Sequence, residues 1–398
     1  MREKYLKSSG VAQQTQQKTM MGSTFWGGSG FVHPWLLLVL ALCSHAAMAA
    51  GPTNSVPKSL RWEASTGGKL LVGVGGVGAL ALGKSLYDGP VFAEDVDLTG
   101  KVIAITGANT GLGYEAAMKL ASLGKPEIIL LCRSEKKAAK AAAEIIAATG
   151  NSNVKTVMLD LNDLASVSSA ASELKRMVKK IDVLQLNSGV MAVPTLEKTQ
   201  DGFEMHLGIN HLGHFALTRE LFPLLVNAKQ ARVVVVSSTA HLIGKIDKSN
   251  LMFQQPGSYS PWPAYGQSKL ANILFAKELN RRLAITGNPS GVISVSLHPG
   301  VCRTELGRYL FDPESIPKFL TPVLGVVGAP ALYLTKDARM GAQTQIFLSA
   351  SSKISPSSGG LYFDNSREAA VSPAANNEED ARWLWAESER LTGGTFRV

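Results

Sequence analysis

A tyrosine and a lysine stand four residues apart in WPAYGQSKLANILF, a stretch that otherwise has the pattern of an amphipathic helix. Side chains at positions i and i+4 share a helix face, so Tyr265 and Lys269 are expected to project together. Leu270, Ile273 and Leu274 would then turn toward a core. An ammonium near a phenol favours the phenolate and lowers a pKa that is about 10 in water. The spacing therefore predicts a tyrosine acid/base, although such pairs are also common on helix surfaces.

Two more polar residues stand where a catalytic site would need them. The run Val233–Val236 has the composition of a buried strand and ends in Ser237-Ser238. Doubly wound sheets bind ligands at the carboxyl ends of their strands, so the Ser238 hydroxyl is placed to hydrogen-bond a substrate carbonyl. Asn210 lies inside the apolar helical stretch LGINHLGHF. A buried amide needs partners, and this one is a candidate anchor for a water molecule that links to Lys269.

Metal and disulfide chemistry have little support in the sequence. Three histidines near Asn210 have spacings that could suit a metal, but no cysteine or carboxylate cluster completes the ligand set. They are His206, His211 and His214. The three cysteines, Cys43, Cys132 and Cys302, are too scattered for a disulfide framework or a zinc site. We therefore predict no metal cofactor.

The elements that must position these residues follow a regular alternation from residue 96 onward. Apolar runs of strand length are Val102–Ile105, Ile128–Leu131, Val154–Leu159, Val183–Leu186, Val233–Val236 and Val292–Leu297. Helical patterns lie between them at Tyr114–Leu123, Glu135–Ala148, Leu164–Val178, Phe203–Leu225 and Tyr265–Leu283. This alternation predicts one α/β domain built on a doubly wound parallel sheet with helices on both faces.

The first strand–turn–helix unit carries a dinucleotide-binding signal. TGANTGLG follows the first strand and opens the first helix. Gly107 permits a tight turn, while Gly111 and Gly113 let the backbone approach a pyrophosphate at the helix N-terminus. The predicted cofactor contacts in this turn are Thr106, Gly107, Asn109, Thr110, Gly111, Leu112 and Gly113.

The next two strands indicate which dinucleotide binds. The second strand ends in LLCRSEKK, where NAD-binding proteins usually place an acidic residue for the ribose hydroxyls. Arg133 stands there instead, and its guanidinium suits a 2′-phosphate, so we predict NADP(H). Asp160, after the third strand, can either accept from the adenine amino group or cap the following helix. Leu161 beside it is also expected to border the cofactor.

Together these motifs resemble those of classical short-chain dehydrogenases/reductases. TGANTGLG, LNSG, INHLGHF, VVSSTAH, YGQSK and HPG stand in the order seen in that family, over about residues 96–395. DGFEMHLGINHLGHFALT, AYGQSKLANILFAKEL, HPGVCRTEL and SGGLYFDNSREAAVSP are similar to its retinol dehydrogenase-like branch. The resemblance implies a single Rossmann-type catalytic domain at residues 96–398. It also implies hydride transfer between NADP(H) and an apolar aldehyde, ketone or alcohol.

The resemblance further implies roles for individual residues. The catalytic set would be Asn210, Ser238, Tyr265 and Lys269, with Tyr265 and Lys269 also touching the cofactor. Pro299, Gly300 and Thr304 would border the nicotinamide. The family's Asn-Asn-Ala-Gly after the fourth strand is here Leu186-Asn187-Ser188-Gly189, so Asn187, Ser188 and Gly189 remain predicted cofactor contacts. The long segment Ile243–Trp262 is expected to border the substrate pocket, and residues 301–340 are a candidate lid, core or membrane-facing segment.

Two other functions fit parts of the sequence. NHLGHF also occurs in light-dependent protochlorophyllide reductases, but YGQSKLAN lacks their cysteine after the Tyr-Lys pair, and their insert after the serine strand is missing. A non-catalytic NADPH-sensing component of a plastid membrane assembly is the other alternative. The complete catalytic set favours chemistry over sensing. The sequence leaves the substrate, the reaction direction and the oligomeric state open.

Residues 1–95 have a different character, and we divide them into a targeting segment, 1–50, and a transit-like linker, 51–95. Residues 31–50 combine an apolar run with the pattern Ala47-Met48-Ala49, typical of a secretory signal, with an uncleaved membrane anchor as the alternative. Residues 51–87 contain one acidic residue, Glu63, and this composition resembles that of a transit peptide. The predicted address is therefore the endoplasmic reticulum or, through a bipartite leader, a plastid. The Gly-rich apolar stretch 69–84 is a candidate for membrane association, although a bilayer span needs roughly 20 residues. Its G-x-G-x-x-G match at Gly73, Gly75 and Gly78 lacks the flanking strands and is interpreted as compositional.

The net charge of +9 in this 398-residue chain is concentrated at the N-terminus. Residues 1–87 hold eight basic and two acidic residues, which accounts for six of the nine charges. The remainder interleaves both signs and has no basic stripe with aromatic partners. We therefore predict no nucleic-acid partner.

Overall fold

The computed structural model describes residues 84–85, 87–303 and 335–398. The targeting segment 1–50, the linker up to residue 83 with its G-x-G-x-x-G match, Thr304 and most of the candidate lid 301–340 lie outside these residues. Only the last residue of the stretch 69–84 is described. Among the described helices, none is long and apolar enough to cross a bilayer.

An eight-stranded sheet forms the centre of the molecule, in the order β3-β2-β1-β4-β5-β6-β7-β8. All pairs are parallel except β7 with β8. The strands are β1 Val102–Thr106, β2 Glu127–Cys132, β3 Val154–Met158, β4 Val183–Leu186, β5 Arg232–Val236, β6 Ile293–His298, β7 Tyr362–Asp364 and β8 Arg367–Glu368. The six predicted strands and the doubly wound sheet are confirmed. The last two strands are too short to show any periodicity in the sequence.

Helices cover both faces of the sheet. They are α1 Gly111–Ala121, α2 Glu135–Thr149, α3 Leu164–Met177, α4 Met205–Leu207, α5 Gly213–Asn227, α6 Pro261–Ile285, α7 Ala338–Gly341, α8 Gln343–Ala350 and α9 Glu378–Leu391. The predicted helix Phe203–Leu225 is not continuous, because a π-helical turn, Gly208–Leu212, separates α4 from α5. This turn carries Asn210, and such turns are frequent at functional sites.

Strand β5 contributes side chains to the hydrophobic clusters on both faces of the sheet. Val233 and Val235 pack in the cluster that also holds Phe215 and Phe275, whereas Val234 and Val236 pack in the cluster on the opposite face. Successive side chains of a strand point to opposite sides, so a run of valines is suited to a sheet buried on both faces. The reversal of strand order between β1 and β4 then opens a crevice at the carboxyl ends of the strands.

The packed unit extends upstream of the predicted domain boundary at residue 96. Phe92 is 6% exposed and lies in the same core cluster as Leu98, and its backbone N–H donates to Gln343 Oε1 at 2.7 Å. Glu94 accepts hydrogen bonds from the Ser351 hydroxyl at 2.8 and 2.9 Å. The chain before the first strand therefore contributes to the core.

Substituting Phe92 with alanine is expected to lower the free energy of unfolding by about 3 kcal/mol, because it leaves a cavity in the core. Its neighbour Val91 is 50% exposed, so Val91→Ala is the matched control and should stay within about 0.5 kcal/mol of the parent. Urea unfolding of the two variants measures both values. Equal, small losses would mean that this segment does not stabilise the domain.

Candidate active site

A cavity of about 690 Å³ follows the carboxyl ends of the parallel strands, a volume typical of small-molecule and cofactor sites. Most of the predicted site residues line it: Gly107, Asn109, Thr110, Gly111, Leu112, Arg133, Asp160, Leu161, Asn187, Ser188, Gly189, Ser238, Tyr265, Lys269, Pro299 and Gly300. Thr106, Gly113 and Asn210 lie behind the wall. The sequence thus brings together residues from six strand ends.

The glycine-rich turn between β1 and α1 packs tightly against the loop after β4 and leaves the first amide groups of α1 uncapped. Gly107 has φ +68°, and a Cβ on Gly113 would lie 2.6 Å from Asn187 Nδ2 and 2.7 Å from the Gly107 carbonyl oxygen. Helix α1 has no acidic residue in its first turn, and Thr110 makes no side-chain cap. Its first amide groups are therefore suited to an anionic ligand such as a pyrophosphate.

A hydrogen-bond network behind the wall fixes this turn to the loop after β4. The Thr106 hydroxyl accepts from the backbone N–H groups of Asn187 at 2.9 Å and Ser188 at 3.0 Å. Asn187 Nδ2 donates to the Thr106 carbonyl at 2.9 Å. Among the described residues, the buried Asn187 Oδ1 has no hydrogen-bond partner. A buried oxygen of this kind beside the cavity fits a site that a polar cofactor completes.

The three histidines that suggested a metal each have a structural partner. His214 Nδ1 lies 3.0 Å from the Asn210 carbonyl and must donate to it, so Nε2 accepts from the Thr106 hydroxyl at 2.9 Å. Burial lowers the pKa of His214 to about 4, so the ring is neutral. His211 Nε2 lies 2.8 Å from Ser388 Oγ, and His206 Nδ1 lies 2.7 Å from Glu204 Oε1. Within the described ranges, no group of three or more metal-ligating side chains is assembled.

One end of the cavity is basic. Arg133 is exposed at the end of β2, as predicted, and two further lining residues, Ser134 and Lys137, stand beside it. Ser134 is the N-cap of α2, accepting from the Lys137 backbone N–H at 3.5 Å. A guanidinium, an ammonium and a helix N-terminus together form a favourable environment for a phosphate. Sequence reasoning missed Ser134 and Lys137, although a serine directly after a strand is a recognisable N-cap signal.

Asp160 does not cap the next helix, so that alternative is wrong. Helix α3 is capped by Asp163, whose Oδ1 accepts from the Ala165 backbone N–H at 2.9 Å. Asp160 Oδ1 instead accepts from the Asn162 backbone N–H at 3.0 Å, which holds the carboxylate in a turn at the cavity wall. The adenine contact stays a prediction.

Tyr265 and Lys269 do share a helix face. The Lys269 ammonium lies 5.7 Å from the centroid of the Tyr265 ring and donates to the Val236 carbonyl at 3.1 Å. Burial lowers the pKa of Lys269 to about 8. Burial also raises the pKa of Tyr265 to about 12, although a hydrogen bond with Ser238 works in the opposite direction. The expected lowering of the tyrosine pKa is therefore wrong for the protein's own groups, because burial outweighs the hydrogen bond with Ser238.

Asn210 lies behind the catalytic wall in the π-helical turn. Its Oδ1 accepts from the Val190 backbone N–H at 2.8 Å, and its Nδ2 donates to the Val190 carbonyl at 3.0 Å and to Ser268 Oγ at 2.9 Å. A Cβ on Gly189 would be 3.0 Å from Asn210 Oδ1 and 3.6 Å from Lys269 Nζ. Asn210 therefore holds the loop that separates it from the cavity, and its role in a water relay stays a prediction.

The other end of the cavity is apolar, and the sequence predicted only part of its lining. Its lining residues are Val190, Met191, Ile209, Leu242, Ile243, Trp262, Val301 and Cys302. Ile243 and Trp262 are the ends of the segment that was predicted to border a substrate pocket. Leu242 is 57% exposed and Ile243 is 40% exposed, so the apolar lining continues to the surface. This end can accept a hydrophobic molecule whose polar group faces Ser238.

Comparisons with known proteins agree with this arrangement. The family model for short chain dehydrogenase matches residues 101–315. Human retinol dehydrogenase 13 is 41% identical over 316 residues, covering 79% of this chain and 92% of that protein. Human retinol dehydrogenase 12 is 42% identical over 310 residues, covering 78% and 92% respectively.

Solved structures give the same picture of the fold. An uncharacterized protein from Mycobacterium paratuberculosis superposes with a TM-score of 0.61 and 34% identity, covering 78% of this chain and all of that one. A Pseudomonas aeruginosa RhlG/NADP active-site complex has a TM-score of 0.50 and 20% identity, covering 67% of this chain and 96% of that one. The second likeness concerns the fold alone.

Proposed function

Because the chain belongs to the short chain dehydrogenase family, we propose that it transfers a hydride between NADP(H) and an apolar aldehyde, ketone or alcohol, with Tyr265 as the acid/base. One observation carries the proposal. A single cavity joins Ser238, Tyr265 and Lys269 to a basic end and to an apolar end. Retinal or retinol-like molecules are the substrate class to which two of its similar relatives owe their names.

The residues at the basic end and in the glycine turn would hold NADP(H). When bound, the cofactor supplies or accepts the hydride. Arg133, Ser134 and Lys137 would take the 2′-phosphate, and the amides at the start of α1 would take the pyrophosphate. Pro299 and Gly300 line the catalytic side of the cavity and would border the nicotinamide.

The proton chemistry belongs to three side chains. Ser238 would orient the substrate oxygen, since it lines the same cavity as Tyr265 and lies near enough to lower the pKa of that phenol. Tyr265 would deliver a proton to that oxygen or remove one from it. Lys269 would hold the ribose and stabilise negative charge on the phenol, since its ammonium lies over the same ring.

A cofactor-consumption screen tests the proposal. The purified chain would be incubated with NADPH and a panel of apolar aldehydes and ketones, and with NADP and the corresponding alcohols. We expect turnover of long apolar aldehydes to exceed that of short polar ones, because the cavity lining beside Ser238 is apolar. Binding of NADPH without turnover of any member of the panel would favour the NADPH-sensing alternative instead.

Cofactor preference should depend on Arg133. We expect Arg133→Asp to lower the ratio of kcat/KM with NADPH to kcat/KM with NADH by about a hundredfold, because a charge-assisted phosphate contact is replaced by repulsion. Lys136→Asp makes a comparable charge change three residues further on, at an exposed residue in the first turn of α2 outside the cavity lining, and it should leave the ratio unchanged. Steady-state kinetics with both cofactors measure this. An unaltered ratio in Arg133→Asp would remove Arg133 from the cofactor site.

We also propose that residues 1–50 direct the chain into the secretory pathway. The support is the apolar run and small-residue pattern of residues 31–50. Translation in the presence of microsomes, followed by protease treatment, tests it: protection of the catalytic domain is expected, and full digestion would reject it. A further plastid step depends on the composition of residues 51–87 alone.

A further inference from the structure

The loop that follows β4 forms a wall of the cavity in an unusual backbone conformation. Gly189, Val190 and Met191 line the cavity. The next residue, Ala192, has φ +51°. The left-handed region is uncommon for residues other than glycine and persists where the surroundings hold it. The residues that hold Ala192 therefore determine where Met191 lies.

Both ends of this loop are fixed by buried or half-buried side chains. The Asn210 side chain forms hydrogen bonds with both the backbone N–H and the carbonyl of Val190. Val193, which is 4% exposed, donates its N–H to His206 Nε2 at 3.2 Å and accepts at its carbonyl from the Tyr259 hydroxyl at 2.7 Å. Met191 and Ala192 lie between these two anchors.

A buried glutamate fixes the tautomer of His206, the side chain that accepts from the Val193 N–H. Glu204 is 1% exposed, and its Oε1 lies 2.7 Å from His206 Nδ1 and accepts from the His206 backbone N–H at 2.9 Å. Its Oε2 accepts from the Leu207 backbone N–H at 2.8 Å. A backbone N–H can only donate, so the Nε2 that faces Val193 must be the acceptor and Nδ1 must carry the proton. The carboxylate thus selects the tautomer that can hold Val193.

The two side chains that hold Val193 connect it to the catalytic tyrosine and to the segment 243–262. The His206 and Tyr265 ring centroids are 6.0 Å apart in an edge arrangement. Tyr259 belongs to the segment 243–262, whose two ends line the apolar end of the cavity. Burial raises the pKa of Tyr259, so its hydroxyl remains a donor to Val193.

We propose that Glu204, His206 and Tyr259, here termed the Val193 clamp, are positioning residues that hold Val190–Val193 as part of the substrate wall at the apolar end of the cavity. The proposal rests on the proposed function, since it assigns this wall to the carbonyl substrate rather than to the cofactor. The clamp residues are absent from the cavity lining and act through the loop.

Kinetics of three variants test the clamp. Tyr259→Phe removes one hydrogen bond and should raise KM for an apolar aldehyde about fivefold, while kcat and the Kd for NADPH stay within about twofold. His206→Leu removes the acceptor for the Val193 N–H and should raise KM about thirtyfold. His206→Gln restores an acceptor oxygen and should return KM to within about threefold of the parent. Tyr114→Phe, outside the cavity lining, is the control for loss of a hydroxyl.

Hydrogen–deuterium exchange gives a second measurement that does not need turnover. Peptides that contain residues 189–195 should exchange at least about fivefold faster in His206→Leu and Tyr259→Phe than in the parent, with no change in Tyr114→Phe. Unchanged exchange, an unchanged KM, or a Kd for NADPH that rises as much as KM would overturn the clamp. If the parent turns over no aldehyde, the proposed function fails, and the exchange comparison still decides whether the clamp holds the loop.

Discussion

Replacing Tyr265 with phenylalanine is expected to lower turnover by about a thousandfold while leaving NADPH binding within about twofold of the parent. The substitution removes the hydroxyl that would exchange a proton with the substrate and keeps the ring that packs at the cavity wall. Tyr265 is 4% exposed, so the change is nearly isosteric in a buried position. Turnover with an apolar aldehyde and fluorescence titration with NADPH measure the two quantities separately.

Tyr362 provides the matched control for this experiment. It is 5% exposed, close to the burial of Tyr265, but it lies on β7 outside the cavity lining. Tyr362→Phe should therefore keep turnover within about threefold of the parent. Near-parental turnover in Tyr265→Phe would reject the assigned acid/base, and loss of NADPH binding there would mean that the hydroxyl serves the cofactor.

The protonation state of Tyr265 bears on the direction of the reaction. With a pKa raised to about 12 by burial, the phenol is protonated throughout the neutral range. A neutral phenol can donate a proton to a carbonyl oxygen that receives a hydride, whereas oxidation of an alcohol requires the phenolate. On the proposed function, the protein's own groups therefore favour carbonyl reduction.

The fold was readable because its signals are local and repeated. The six predicted strands are short runs rich in valine, isoleucine and leucine, and β5, Arg232–Val236, needs no alternation because both faces are buried. The glycine turn was readable for the same reason, since Gly107 and Gly113 stand between a clear strand and a clear helix. These positions follow from backbone sterics alone.

What could not be predicted depends on contacts between distant parts of the chain. The π-helical turn at Gly208–Leu212 has the same apolar spacing as an ordinary helix, so periodicity does not reveal it. His206 looked like one of three metal candidates, and only its contact with Val193 shows that it holds a loop. The pKa of Tyr265 was misjudged because proximity to Lys269 can be read from spacing, whereas burial cannot.

Lys269→Met is expected to lower carbonyl reduction by about a hundredfold and to change its pH profile. Burial lowers the pKa of Lys269 from 10.5 to about 8, so the ammonium is present below about pH 8 and is lost above it. If the Lys269 ammonium holds the ribose and stabilises negative charge on the Tyr265 phenol, the parent's rate should fall as the pH rises through 8. The variant should be slow at every pH and should lack this fall.

Three neighbouring groups have pKa values outside that range. Burial raises the pKa values of Tyr265 and Cys302 to about 12 and lowers that of His214 to about 4. Lys277→Met, two turns further along α6 and outside the cavity lining, is the control and should keep the parent's profile. Rates measured from pH 6 to about 9.5 would decide the matter. That interval brackets the lowered pKa of Lys269 and excludes the raised pKa values of Tyr265 and Cys302. A fall near pH 8 that persists in Lys269→Met would assign it to another group and remove the ammonium from the proton chemistry, because a methionine side chain has no charge to lose.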